Sequence, residues 1–148
     1  MGNALTLLSV YSKKGRLLET TQDAFALSDQ PVHLNESGRI VRFSGDDQFW
    51  QQLRDQPELR TGWLVSVFRY DRSWNRWERH PDADELVTVI EGAVDFEFDD
   101  RRRWRVSVTA GASCVVPQMV WHRAVFAEPT VLMFITPAPA VTEGRALV

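Results

Sequence analysis

The chain predicts an all-β fold, a β-sandwich or barrel, from two observations. From Thr61 onward apolar and polar residues alternate with period two. Turn residues interrupt that alternation at regular intervals, so the strands are many and short. With 148 residues, 44% hydrophobic and 11% aromatic, the chain reads as one domain with a substantial core. Residues 1–60 read as an N-terminal extension of that domain, and 61–148 as the barrel core and a C-terminal tail.

Lys13 to Asp29 has mixed periodicity and specifies no element. From Gly38 to Ser44, Ile40 and Arg42 alternate with Val41 and Phe43, which is weakly strand-like. Ser44-Gly45-Asp46-Asp47 reads as an N-cap and an acidic first turn, with Phe49, Trp50 and Leu53 on one helical face. Pro57 limits that helix, so one short helix is expected near Asp46 to Asp55. Then Trp63, Val65 and Val67 alternate with Leu64, Ser66 and Phe68. Glu85 to Ile90 is a mostly apolar strand that ends in the Glu91-Gly92 turn. Val94, Phe96 and Phe98 alternate with Asp95, Glu97 and Asp99, and Trp104, Val106 and Val108 with Arg103, Arg105 and Ser107. Ser113 to Val116, Trp121 to Phe126 and Val131 to Thr136 complete the set, and Pro137 and Pro139 stop the last strand.

A net charge of -3 gives no support for nucleic-acid binding. The basic run Arg101-Arg102-Arg103 follows Asp99-Asp100 and reads as a solvated hairpin end. Cys114, the only cysteine, sits in an apolar run without a basic neighbour, so it reads as a small buried hydrophobe. The apolar patch within Met1 to Tyr11 lacks the flanks of a secretory signal, and no run is long enough for a transmembrane helix. A soluble cytoplasmic protein is expected. No Ser-His-Asp order, phosphate-binding glycine loop or Cys-His pair points to nucleophilic or nucleotide chemistry.

One polar constellation carries chemistry. Glu78 and His80 are two apart on a strand and face the same way. Glu85 follows the Pro81-Asp82-Ala83-Asp84 turn, and His122 comes from a distant strand. Two carboxylates in an apolar cavity repel, and a divalent transition metal held by Glu78, His80, Glu85 and His122 offsets that repulsion. Alternatively Glu78 pairs with Arg76, Arg79 or Arg123. Asp82 and Asp84 read as turn residues, and His33 as a surface or loop histidine. Trp63, Trp74, Trp77 and Trp121 either line a pocket for a flat or apolar ligand or fill the core or a dimer interface. Trp63, Trp77 and Trp121 are the residues assigned to a substrate pocket.

The segment from about Trp63 to Thr136 resembles the cupins, a superfamily of small β-barrels or jelly rolls. His80, Glu85 and Gly92 match the first cupin motif in spacing, and Gly111, Pro117 and His122 the second. The run Trp74 to Pro81 with Asp84-Glu85 and Trp121-His122 also resembles small bacterial single-domain cupins. Glu78 stands where the first motif has a His, Met119 where the second has a Gly, and Phe126 where it closes on Asn. The resemblance implies a jelly-roll barrel with Fe, Mn, Zn or Ni on Glu78, His80, Glu85 and His122. It implies a dioxygenase, isomerase or lyase acting on a small organic molecule, with Glu78 or Glu85 as catalytic acid or base. The alternative is a non-enzymatic barrel that binds a small molecule. The resemblance also implies a homodimer, while the mild acidic charge and the lack of a long apolar run argue against nucleic-acid and membrane partners.

Overall fold

The structure is a computed structural model, and it describes residues 22–147 except 47, 48, 50 and 52–54. Its strands are β1 (Val32–Leu34), β2 (Ile40–Arg42), β3 (Trp63–Tyr70), β4 (Arg76–Arg79), β5 (Glu85–Glu91), β6 (Ala93–Asp99), β7 (Arg103–Thr109), β8 (Ser113–Val116), β9 (Trp121–Val125), β10 (Thr130–Pro137) and β11 (Glu143–Ala146). A 3-10 turn spans Pro57–Leu59. Most of the helix expected at Asp46 to Asp55 lies outside the described residues. Among the described residues no helix is long and apolar enough to cross a membrane.

Two antiparallel sheets form the fold, one ordered β2-β1-β3-β10-β5-β8 and the other β11-β4-β9-β6-β7. Among the described residues no ladder joins them, so the architecture is a two-sheet jelly roll and not a closed barrel. The period-two pattern decides which side chains meet between the sheets. Val87 and Val89 of β5 and Leu132 and Phe134 of β10 face Val94, Phe96 and Phe98 of β6, Val108 of β7 and Ala124 of β9. Burying each such large apolar side chain contributes roughly 1.5–3 kcal/mol. The intervening acids and arginines of β6, β7 and β9 form ion pairs on the outer face, among them Arg123–Glu97 and Arg105–Glu97.

Gly92 in the β5–β6 turn has φ +80°, and a Cβ there would lie 2.7 Å from Thr130 Oγ1 and 2.8 Å from the Pro129 carbonyl oxygen. Only glycine fits that close approach. β1 and β2 extend the sheet of β3, so residues 32–34 and 40–42 belong to the same sandwich. His33 lies in β1, is 1% exposed and bonds the Thr61 carbonyl through Nε2 at 2.6 Å. The surface or loop placement expected for it is therefore wrong. β11 was not legible in the tail, because Glu143-Gly144-Arg145-Ala146 lacks an apolar alternation and forms a strand by pairing with β4.

A candidate metal centre

Three elements bring the candidate residues together. β4 delivers His80 just past its last residue, β5 opens on Glu85, and β9 carries His122 as its second residue. The connecting turn is tied to the loop before β9: the Gln118 amide donates to Asp84 Oδ1 at 2.7 Å, and the Met119 amide donates to the His80 carbonyl at 2.9 Å. Asp84 is thus a turn residue, as its type suggests.

His80, Glu85 and His122 each offer one donor atom, and these atoms lie within 4.8 Å of one another. All three are buried, at 8%, 5% and 0% exposure. His80 Nε2 is 3.3 Å from Glu85 Oε2, and the imidazole centroids are 5.3 Å apart. The outward nitrogens are fixed by backbone. His80 Nδ1 lies 3.2 Å from the Val141 carbonyl oxygen, and His122 Nδ1 lies 3.3 Å from that of Val120. A carbonyl only accepts, so the Nδ1 beside each carries a hydrogen; that leaves His122 Nε2 bare in the neutral ring, while His80 Nε2 faces the Glu85 carboxylate. Thr136 fixes the carboxylate by donating to Glu85 Oε1 at 2.5 Å.

His122 Nε2 is buried and has no hydrogen-bond partner among the described residues. Burial, and after it the neighbouring His80, hold the His122 pKa down to about 4, so its ring is neutral at pH 7. Burial alone would lower His80 as well, but the hydrogen bond and charge of Glu85, the Val141 carbonyl and the Glu78 charge together outweigh it and raise the net pKa. Two imidazoles and one carboxylate, converging in a buried site, make a donor set of the two-His, one-carboxylate kind.

Glu78 is not in that group. It sits opposite His122 in the β4–β9 ladder, but its Oε1 accepts from Arg76 Nε at 2.8 Å. Among the expected alternatives for Glu78, the structure has the arginine pair. Its charge still reaches the site and helps raise both His80 and the Tyr70 phenol.

The assigned tryptophans do not line the centre. Trp63 is 49% exposed. Trp77 and Trp121 neighbour Glu78 and His122 in their strands and so project from the opposite face of the sheet. There Trp77 lines a cleft with Arg103, Arg123 and Arg145. The tryptophan at the centre is Trp74, edge-on to His122 at 5.8 Å between centroids. Phe98 lies 6.3 Å from His122 on another side. Tyr70 packs on Trp74, Phe126 and Phe134, and burial followed by the Glu78 and Glu85 charges keeps its phenol protonated. Sequence reasoning passed over Thr136 and Tyr70. Both are the polar members of inward-facing rows, Leu132-Phe134-Thr136 and Leu64-Ser66-Phe68-Tyr70, and that parity was a usable signal. The Val141 carbonyl left no trace in the side-chain pattern.

Residues 71–136 match the family described as a cupin domain. Among solved structures, a cupin-2 domain containing protein from Shewanella frigidimarina is 27% identical, with a TM-score of 0.46, over 51% of this chain and 70% of its own. Peruvianin-I, a cysteine peptidase from Thevetia peruviana latex, is 16% identical, with a TM-score of 0.51, over 59% of this chain and 58% of its own. The oxalate decarboxylase of Bacillus subtilis, which has Mn(II) centres, is 17% identical, with a TM-score of 0.50, over 60% of this chain and 24% of its own. These last two likenesses concern the fold alone, and this chain spans about a quarter of the decarboxylase. No curated protein matches the chain.

Proposed function

Residues 71–136 are a cupin domain, and from that premise we propose that the protein is a small metal-dependent cupin acting on a small organic molecule. The ligands are His80 and His122 through Nε2 and Glu85 through its carboxylate. The observation that carries this reading is the buried, unpartnered His122 Nε2 facing an acid and a second imidazole. An unmet buried polar atom costs about 1–3 kcal/mol, and a cation at that point removes the cost. Fe, Mn, Zn and Ni all suit nitrogen and carboxylate donors. When bound, such an ion supplies Lewis acidity or redox chemistry to a substrate or dioxygen at an open position.

The chain's own residues then have separate tasks. Thr136 orients Glu85, and the two backbone carbonyls orient the imidazoles. Trp74 and Phe98 exclude water from His122. Glu78, next to the centre and not consumed as a ligand, is the group placed to accept a proton, with Arg76 as its counter-ion. Metal analysis of protein purified without chelator tests the reading. Near-stoichiometric metal that is lost on His122→Ala supports it. Metal-free protein that retains an organic molecule points instead to a non-enzymatic binding module.

The proposal includes a homodimer. Val65, Ile135, Leu86 and Val115 stand in register across β3, β10, β5 and β8 on the outer face of the six-stranded sheet. Val115 is 54% exposed, and Trp63 and Ile90 add exposed apolar surface. A contiguous apolar row of this kind suits a self-complementary contact. Light scattering should give a dimer mass for the wild type and a monomer mass for Ile135→Lys. A wild-type monomer at micromolar concentration argues against the dimer.

A further inference from the structure

The C-terminal segment from Ala138 to Leu147 lies beyond the residues matched to the family. It crosses back over the five-stranded sheet and forms its edge strand, β11. Two residues of this strap touch His80: the Val141 carbonyl at 3.2 Å and Thr142 Oγ1 at 3.4 Å, both from Nδ1. The strap is fixed a few residues later. Arg145 donates to Asp99 Oδ2 at 2.7 Å, and its guanidinium stacks 4.7 Å above Trp121 and 5.4 Å above Trp77. Arg79 donates to Glu143 at 2.5 Å across the β4–β11 ladder. Trp121 and Trp77 are the immediate neighbours of His122 and Glu78, so Arg145 grips the backs of the two strands whose fronts face the centre.

We propose that the strap is a positioning device, in which Arg145 clamps β11 onto Asp99, Trp77 and Trp121 and thereby sets the Val141 carbonyl that aims His80 Nε2 into the centre. Arg145 touches neither ligand nor substrate. It acts through Val141, whose carbonyl holds His80 Nδ1. Carbonyl partners of ligating histidines govern metal affinity by about 10–100-fold. The inference rests on the metal reading for its affinity readout only, since the strap's hold on His80 exists without an ion.

The test uses the full chain stripped of metal. Co2+ is titrated and followed by its visible absorption, and the 15N shifts of the His80 ring are recorded in metal-free protein at alkaline pH, where the ring is neutral. Arg145→Ala should weaken Co2+ binding about tenfold and shift the His80 tautomer population toward Nε2–H, because the Glu85 carboxylate is then the better-placed acceptor. Arg145→Lys, which keeps the charge opposite Asp99, should recover most of the affinity. If Arg145→Ala does not fold, Asp99→Ala removes the anionic arm of the clamp and should give the same two changes to a smaller degree. Unchanged affinity together with an unchanged His80 tautomer overturns the proposal. If the wild type binds no Co2+, the metal reading fails, and the His80 nitrogen shifts alone decide the strap.

Discussion

Glu85 stands between two fixed partners: Thr136 Oγ1 donates to one carboxylate oxygen, and His80 Nε2 lies 3.3 Å from the other. A carboxylate so placed cannot turn without breaking a buried contact. Thr136→Val keeps the shape of the side chain and removes the donor. The metal-free protein should lose about 1–3 kcal/mol in urea denaturation, because Glu85 Oε1 is left unmet. Zn2+ affinity should fall roughly tenfold in the same variant, read by calorimetry.

His122 makes the metal-free protein sensitive to acid. Its folded pKa, about 4, lies below the ordinary histidine value of 6.5. The unfolded chain therefore takes up a proton more readily, and stability falls as pH drops from about 6.5 to about 4. The loss from this residue should be on the order of 3 kcal/mol. His80 acts in the opposite sense: its raised pKa gives stability below pH 6.5 that is lost as pH rises through the folded value. Denaturation midpoints measured across pH 4–7 should flatten at the acid end in His122→Phe. An unchanged slope contradicts burial of a neutral His122.

Much of this was legible from parity. The period-two runs mark β3, β6 and β7, short apolar runs between turns mark β5 and β10, and the spacing of His80, Glu85 and His122 marks three donors that the fold brings together. The same parity sets Trp121 and Trp77 on the face opposite Glu78 and His122, because each adjoins a residue expected to face inward. What stayed hidden depends on backbone. β11 exists because β4 offers it a free edge, and the Val141 and Val120 carbonyls act without any side-chain signature. His33 is buried with its ring on the Thr61 carbonyl, a distant contact that no local pattern in Pro31-Val32-His33 announces.

Met119 stands where the cupin motif has glycine, and its φ is +65°. A side chain in that region costs roughly 1–2 kcal/mol, partly offset because glycine would loosen the unfolded chain. Met119 is half exposed, so truncating it removes little packing. Met119→Gly should raise stability by about 0.5–1 kcal/mol in thermal or urea denaturation. A loss of stability would show that the Met119 side chain holds the loop that meets His80.

Glu78 is committed to Arg76 and lies outside the three-donor group. Glu78→Gln should leave the Co2+ stoichiometry at one and change the affinity by no more than about threefold, as expected of a neighbouring charge and not a ligand. A drop of a hundredfold or more would make Glu78 a fourth ligand.

Calorimetric titration of the metal-stripped full chain with Co2+, wild type beside His122→Ala, tests the centre most directly. One ion per chain should bind the wild type, with at least a hundredfold loss in the variant. Absent wild-type binding, or equal affinity in the two proteins, would mean that His122 Nε2 is a buried nitrogen with no ion to hold.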